Sequence, residues 1–143
     1  MPLLTDPTAS GCPTPLSWQQ VLESLDEQAS RHELPGSTGG RILLRTIGHG
    51  PPLVLLGPLL GSWRLMALFA WLMKDDYQCV LYDDSSLASR TPPSRPGQID
   101  DLVEDLWRVQ EHIGHEPLSL FGTGLGATIG LAAVAEQPAR IAS

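Results

Sequence analysis

The residues with the clearest capacity for chemistry lie between Leu118 and Ile129, Leu-Ser-Leu-Phe-Gly-Thr-Gly-Leu-Gly-Ala-Thr-Ile. An apolar run, alternating glycines and a small-residue segment predict a buried strand, a sharp turn and the start of a helix. In the form G-x-S-x-G, such a turn is a nucleophile elbow whose strained apex lifts a serine above a sheet. Here the turn reads Gly122-Thr123-Gly124-Leu125-Gly126, and the apex residue, Gly124, has no side chain to attack anything. Moving the register to make Thr123 the nucleophile would place Phe121 and Leu125 where the turn needs small residues. The segment predicts the geometry of nucleophilic catalysis without the nucleophile.

Two other readings of these glycines stand beside that one. Gly122-x-Gly124-x-x-Ala127 fits the dinucleotide fingerprint G-x-G-x-x-G/A, in which glycines let the backbone approach a pyrophosphate. The acidic residue that should follow about twenty positions later would lie beyond Ser143, and three strands precede this one. The structural reading is that Gly124 relaxes an elbow that no longer strains a serine.

The other titratable groups suggest little chemistry. His32, His49, His112 and His115 all precede the elbow, and His112 and His115 flank a helix end, where histidines favour the helix dipole. The pairs Asp75-Asp76, Asp83-Asp84 and Asp100-Asp101 lack the D-x-D-x-D-G pattern of a calcium loop and read as solvated charge. Asp83 stands apart because it closes a strand, and open α/β sheets bind ligands at the carboxyl ends of strands. Cys12 and Cys79 indicate neither a disulfide framework nor a zinc site, so no metal and no cofactor is expected.

The elements that must position the turn follow from periodicity. Residues 1–16 are rich in Pro, Ser and Thr and read as a loose arm. Ser17 caps a helix with Gln20 at the capping-box position, and Trp18, Val21, Leu22, Leu25 and Ala29 share one face. Leu34-Pro35-Gly36 should stop that helix, with 37–40 as a flexible link. Strands are expected at 41–47, 53–56, 77–82 and 118–121, and helices at 62–74, 99–113 and after the glycine turn to Pro138. Strands alternating with helices imply a mostly parallel sheet in an α/β fold. The organisation expected is an N-terminal arm and amphipathic helix over 1–40 and a partial α/β domain over 41–143.

Composition bounds the partners. The 143 residues carry a formal net charge of −7, with Lys74 the sole lysine and no basic run. That disfavours nucleic acid and anionic lipid. Two stretches, Leu53–Met73 and Leu118–Ala135, approach membrane-spanning length, but turn residues split each into a strand and a helix. The N-terminus shows no basic n-region or apolar h-region, so cytoplasmic residence is the default.

Residues from about 41 to 143 resemble the N-terminal half of an α/β-hydrolase of the lipase, esterase and epoxide-hydrolase kind. Gly50-Pro51-Pro52-Leu53-Val54-Leu55-Leu56 is similar to the family's strand into the oxyanion loop. Tyr77 to Asp83 is similar to the next strand, Asp101 to Gly114 to the helix before the elbow, and Pro138-Ala139-Arg140-Ile141 to its P-x-R-V. The resemblance also exposes departures. In the oxyanion loop, Gly57-Pro58-Leu59 here, Gly57-Pro58 stands in place of His-Gly, and Pro58 has no N–H to donate, which leaves Leu59 or Leu60 to supply one. The D-x-x-G-x-G-x-S loop appears as Asp83 to Arg90 with both glycines gone. The family's distal acid and histidine would follow the elbow by many residues, after Ser143. A Gly-x-Gly-x-Gly-Ala elbow is similar to that of the N-myc downstream-regulated family, regarded as non-catalytic, though only in this turn.

The resemblance therefore implies an incomplete α/β-hydrolase-like fold without ester-cleaving activity, acting by binding or association. The alternatives are a truncated piece of a genuine hydrolase of small esters or epoxides, and a dinucleotide-binding module. A half-sheet leaves an edge strand open, and open edges recruit a second copy or another protein.

Overall fold

The computed structural model describes residues 17–58, 63–83, 98–114 and 117–142. The expected arm at 1–16, Leu59, the loop from Asp84 to Gly97 and His115 lie outside these residues.

The chain begins with helix α1 (Trp18–Gln28), whose Ser17 hydroxyl accepts the Gln20 N–H while the Gln20 side chain accepts the Ser17 N–H, the expected capping box. The helix does not reach Leu34. Ala29 turns extended, at φ −72° and ψ 137°, and Ser30–Pro35 forms strand β1 instead. β1 pairs antiparallel with β2 (Arg41–Ile47), from Ser30 opposite Thr46 to Pro35 opposite Arg41. Pro35 is tolerated because β1 is an edge strand. His32 therefore sits on a strand, not on the first helix. The segment at 37–40, expected to be a loose link, is a pinned hairpin turn: Ser37 N–H donates to Asp105 Oδ1 at 2.8 Å and Ser37 Oγ donates to the Asp101 carbonyl at 3.0 Å.

Beyond β2 the chain forms β3 (Pro52–Leu56), a 3-10 turn (Trp63–Met66), α2 (Ala67–Met73), β4 (Gln78–Asp83), α3 (Ile99–Ile113), β5 (Ser119–Gly122) and α4 (Leu125–Glu136). The five strands make one mixed sheet in the order β1-β2-β4-β3-β5. β2 runs antiparallel to both its neighbours, while β3 is parallel to β4 and β5. Each apolar stretch that approached membrane length contains a strand, β3 or β5, with a helix after it. Among the described residues, no helix is long and apolar enough to cross a membrane.

Strand alternation divides the core into two layers. Val54, Leu56, Val80, Ile42 and Leu44 face α3 and α4, meeting Leu106, Val109, Ile129 and Ala133. Leu53, Leu55, Cys79, Leu81 and Ile47 face α1 and α2, meeting Leu25, Trp63, Ala67 and Ala70. β3 therefore leads to a helix on one face and β5 to a helix on the other. The crevice between the carboxyl ends of β3 and β5 is the switch point at which open α/β sheets take ligands.

The acidic first turns of α3 are not all solvated, as sequence had suggested. Asp101 is buried, and its Oδ2 accepts the Gln98 N–H at 2.8 Å to cap the helix. Asp105 is 1% exposed and ties the β1–β2 hairpin to α3 through Ser37.

Candidate functional site

The glycine turn sits at that crevice. Gly122 ends β5, Gly124 stands exposed at the apex, and α4 begins at Leu125. Gly124 has φ 54° and ψ −123°, a backbone that L side chains rarely adopt. The turn keeps the left-handed elbow backbone without its serine, and glycine carries it without the strain a Cβ would bring. Its flanking glycines are demanded by contact: a Cβ on Gly122 would fall 2.7 Å from the Gly126 backbone, and one on Gly126 would fall 2.2 Å from the Leu56 carbonyl oxygen.

The loop after β3 closes over the same point. In an active elbow, the N–H of the residue after the nucleophile and one from the loop after the third strand form the oxyanion hole. Here the residue after the apex is Leu125, and its N–H donates to the Pro58 carbonyl at 3.2 Å. The Gly126 N–H donates to the Gly57 carbonyl at 2.9 Å, and the Thr123 N–H to the Leu56 carbonyl at 3.1 Å. The N–H of the residue after the apex, one of the two donors an oxyanion hole uses, is thus taken by a protein oxygen. A Cβ on Gly124 would lie 2.9 Å from the Pro58 oxygen, 3.0 Å from its Cα and 3.1 Å from its Cβ. Pro58 occupies the space a nucleophilic side chain would leave the backbone through.

The same hydrogen bonds bear on the dinucleotide reading. A pyrophosphate needs free N–H groups at the helix N-terminus, and the Leu125 and Gly126 N–H groups at the start of α4 point at Pro58 and Gly57.

Asp83, expected at a strand's carboxyl edge, is there, and its Oδ1 accepts the Trp63 N–H at 2.8 Å. It fastens the chain returning from the oxyanion loop. No histidine of the described residues joins the crevice. His49 lies in the turn before β3, at the opposite end of the sheet, and His32 and His112 meet at β1 and the last turn of α3. Sequence reasoning found the glycine turn, Gly57, Pro58 and Asp83. It missed that Pro58 acts as an acceptor as well as lacking a donor, since a carbonyl's direction leaves no trace in residue type.

The geometry agrees with the comparisons. The α/β hydrolase fold family matches residues 51–143, well over half of the chain. Naproxen esterase from Bacillus subtilis superposes with a TM-score of 0.69 at 19% identity, over 91% of this chain and 50% of that one. An α/β hydrolase from Sphaerobacter thermophilus gives 0.67 at 26% identity, over 77% and 42%. An epoxide hydrolase from Vigna radiata gives 0.63 at 23% identity, over 80% and 38%. The chain spans half or less of the length of these structures. No curated protein sequence matches it. By the family match, and with a strand–elbow–helix and oxyanion loop in the places just described, the chain belongs to the α/β hydrolase fold family.

Proposed function

We propose that this protein is a non-hydrolytic member of its family, acting through association and not through covalent catalysis. The observation that carries the reading is the Leu125 N–H donating to the Pro58 carbonyl beneath an apex, Gly124, without a side chain. The apex has no nucleophile, and the Leu125 N–H, the donor beside it, is engaged by the Pro58 carbonyl. Loss of the nucleophile alone costs several orders of magnitude in rate.

The associating surface is centred on β5, the outermost of the described strands at its end of the sheet. The chain itself returns to the start of this strand: Leu118 N–H donates to the Arg140 carbonyl at 2.8 Å and Ala142 N–H to the Leu118 carbonyl at 2.9 Å. Beside it, Leu56, Leu120, Gly126, Leu131, Val134 and Ile141 line an apolar cleft of about 280 Å³. On the other face, Phe121 stacks on Phe69 at 4.2 Å between ring centres. Leu131 is 72% exposed and Leu72 68%, large values for leucines on either side of one sheet edge. The occupant is a second copy of the chain, since this uncharged patch offers no like-charge opposition despite the acidic surface elsewhere.

The test has two arms. The purified protein, assayed with p-nitrophenyl acetate, hydrolyses it no faster than buffer, and Gly124→Ser stays inactive because Pro58 blocks the new side chain. A rate above buffer in either overturns the non-hydrolytic reading. Light scattering reports a dimer that Leu131→Asp dissociates, and a monomer at every concentration removes the associative reading alone. A second reading, that this is part of a longer hydrolase, is favoured by its spanning half the length of its structural neighbours. The intact mass from the source cell separates the two: 15.4 kDa fits the first, about twice that the second.

A further inference from the structure

The described histidines take no part in the crevice, yet the fold brings two of them together. His32 projects from β1 and His112 from the last turn of α3, with ring centres 5.0 Å apart and ring planes at 55°. Both are exposed. Their backbones are held by regular structure: His32 lies opposite Leu44 in the β1–β2 ladder, and His112 closes a fifteen-residue helix. The hairpin's turn is further tied to α3 by the Ser37–Asp105 hydrogen bond.

That separation, within the ordinary range for ring contact, is also one that two imidazoles on a shared metal ion can take. With metal–nitrogen bonds of about 2.0–2.1 Å and a ring centre about 1.1 Å behind each nitrogen, two imidazoles on a tetrahedral ion have centres about 5.2 Å apart. On adjacent octahedral positions the figure is about 4.5 Å. The observed 5.0 Å lies between them. Neutral imidazole suits zinc, nickel and copper, while calcium and magnesium prefer oxygen.

We propose that His32 and His112 form a two-histidine site for a borderline divalent ion such as Zn²⁺ or Ni²⁺. Among the described residues no group of three His, Cys, Asp or Glu side chains gathers to hold a metal, so water fills the remaining positions. The ion would clasp the edge strand to α3 and stabilise the fold by mass action, because the unfolded chain holds its two ligands far apart.

The experiment is a thermal-unfolding titration of the full chain with ZnCl₂ and, separately, NiCl₂. The melting temperature rises by a few degrees as metal approaches about 1 mM, and EDTA reverses the rise. His32→Asn and His112→Asn each abolish the shift while leaving the metal-free melting temperature near that of the parent, since both side chains are exposed. His49→Asn retains it. No shift in the parent, or a shift that survives either of the first two substitutions, overturns the proposal and leaves the rings in ordinary aromatic contact.

Discussion

Replacing Gly126 and Gly130 by alanine, one at a time, sets helix propensity against backbone packing within a single helix. Both glycines lie in α4, and propensity alone makes either change stabilising by about 1 kcal/mol. Their surroundings differ completely. A Cβ on Gly130 meets only Leu120 Cδ1, at 3.9 Å, in ordinary contact. A Cβ on Gly126 would lie 2.2 Å from the Leu56 oxygen, 2.5 Å from its carbonyl carbon and 2.7 Å from the Gly57 oxygen. All three atoms are backbone, so no side chain can swing aside. Relief requires α4 to move about 1 Å from β3, which strains core packing by about 1–3 kcal/mol. It also loosens the 2.9 Å hydrogen bond from Gly126 to Gly57, worth about 1 kcal/mol. Set against the propensity gain, Gly126→Ala is destabilising by about 1–3 kcal/mol, whereas Gly130→Ala is stabilising by up to about 1 kcal/mol. Urea unfolding followed by far-UV circular dichroism measures both, with the slope m checked for constancy. Equal effects in the two variants, or a Gly126→Ala protein as stable as the parent, would refute the close approach of α4 to β3.

Other expectations follow from particular contacts. Burial pushes the Cys79 thiol up from 9.0 to about 11, so it resists a thiol reagent at neutral pH until the protein unfolds. The unfolded thiol loses its proton first, so this group's contribution to stability is intact below pH 9, falls as pH rises and is gone above about 11. Urea midpoints across that range, compared with a Cys79→Ala protein, check the sign; a rise in the difference contradicts it. Asp105→Ala leaves the Ser37 N–H without its acceptor and destabilises by about 1–3 kcal/mol. Asp105→Asn, which keeps an acceptor oxygen, recovers part of that loss in the same unfolding assay. Gly124→Ser adds a strained φ to a contact with Pro58 and lowers stability by about 1–3 kcal/mol, measurable as a reduced melting temperature.

The elements with a strong local signal were legible. Helix α3 was, because Leu102, Val103, Leu106, Val109 and Ile113 repeat at helical spacing and Gly114, at φ 70°, supplies the left-handed stop. The central strands were, because burial on both faces leaves continuous apolar runs. β1 was not. Ser-Arg-His-Glu-Leu-Pro carries no alternation because an edge strand exposed along most of its length has no face that must be apolar. Its conformation is set by the six residues of β2 opposite it, which a local reading cannot supply. Asp101 was misread for a related reason: an acid in a helix's first turn is ordinarily solvated, whereas here it is buried and accepts the Gln98 N–H.

The sequence by itself determined that this chain has strand, elbow and helix in order, and that no side chain stands at the apex. Those follow from residue identity and short-range periodicity. The tertiary structure alone decided that Gly124 keeps a left-handed elbow backbone, that Pro58 turns its carbonyl onto the Leu125 N–H, and that an apolar cleft lies beside β5. Backbone carbonyls have the same chemistry in every residue. Where one points, and which strands lie side by side, depends on how distant segments pack.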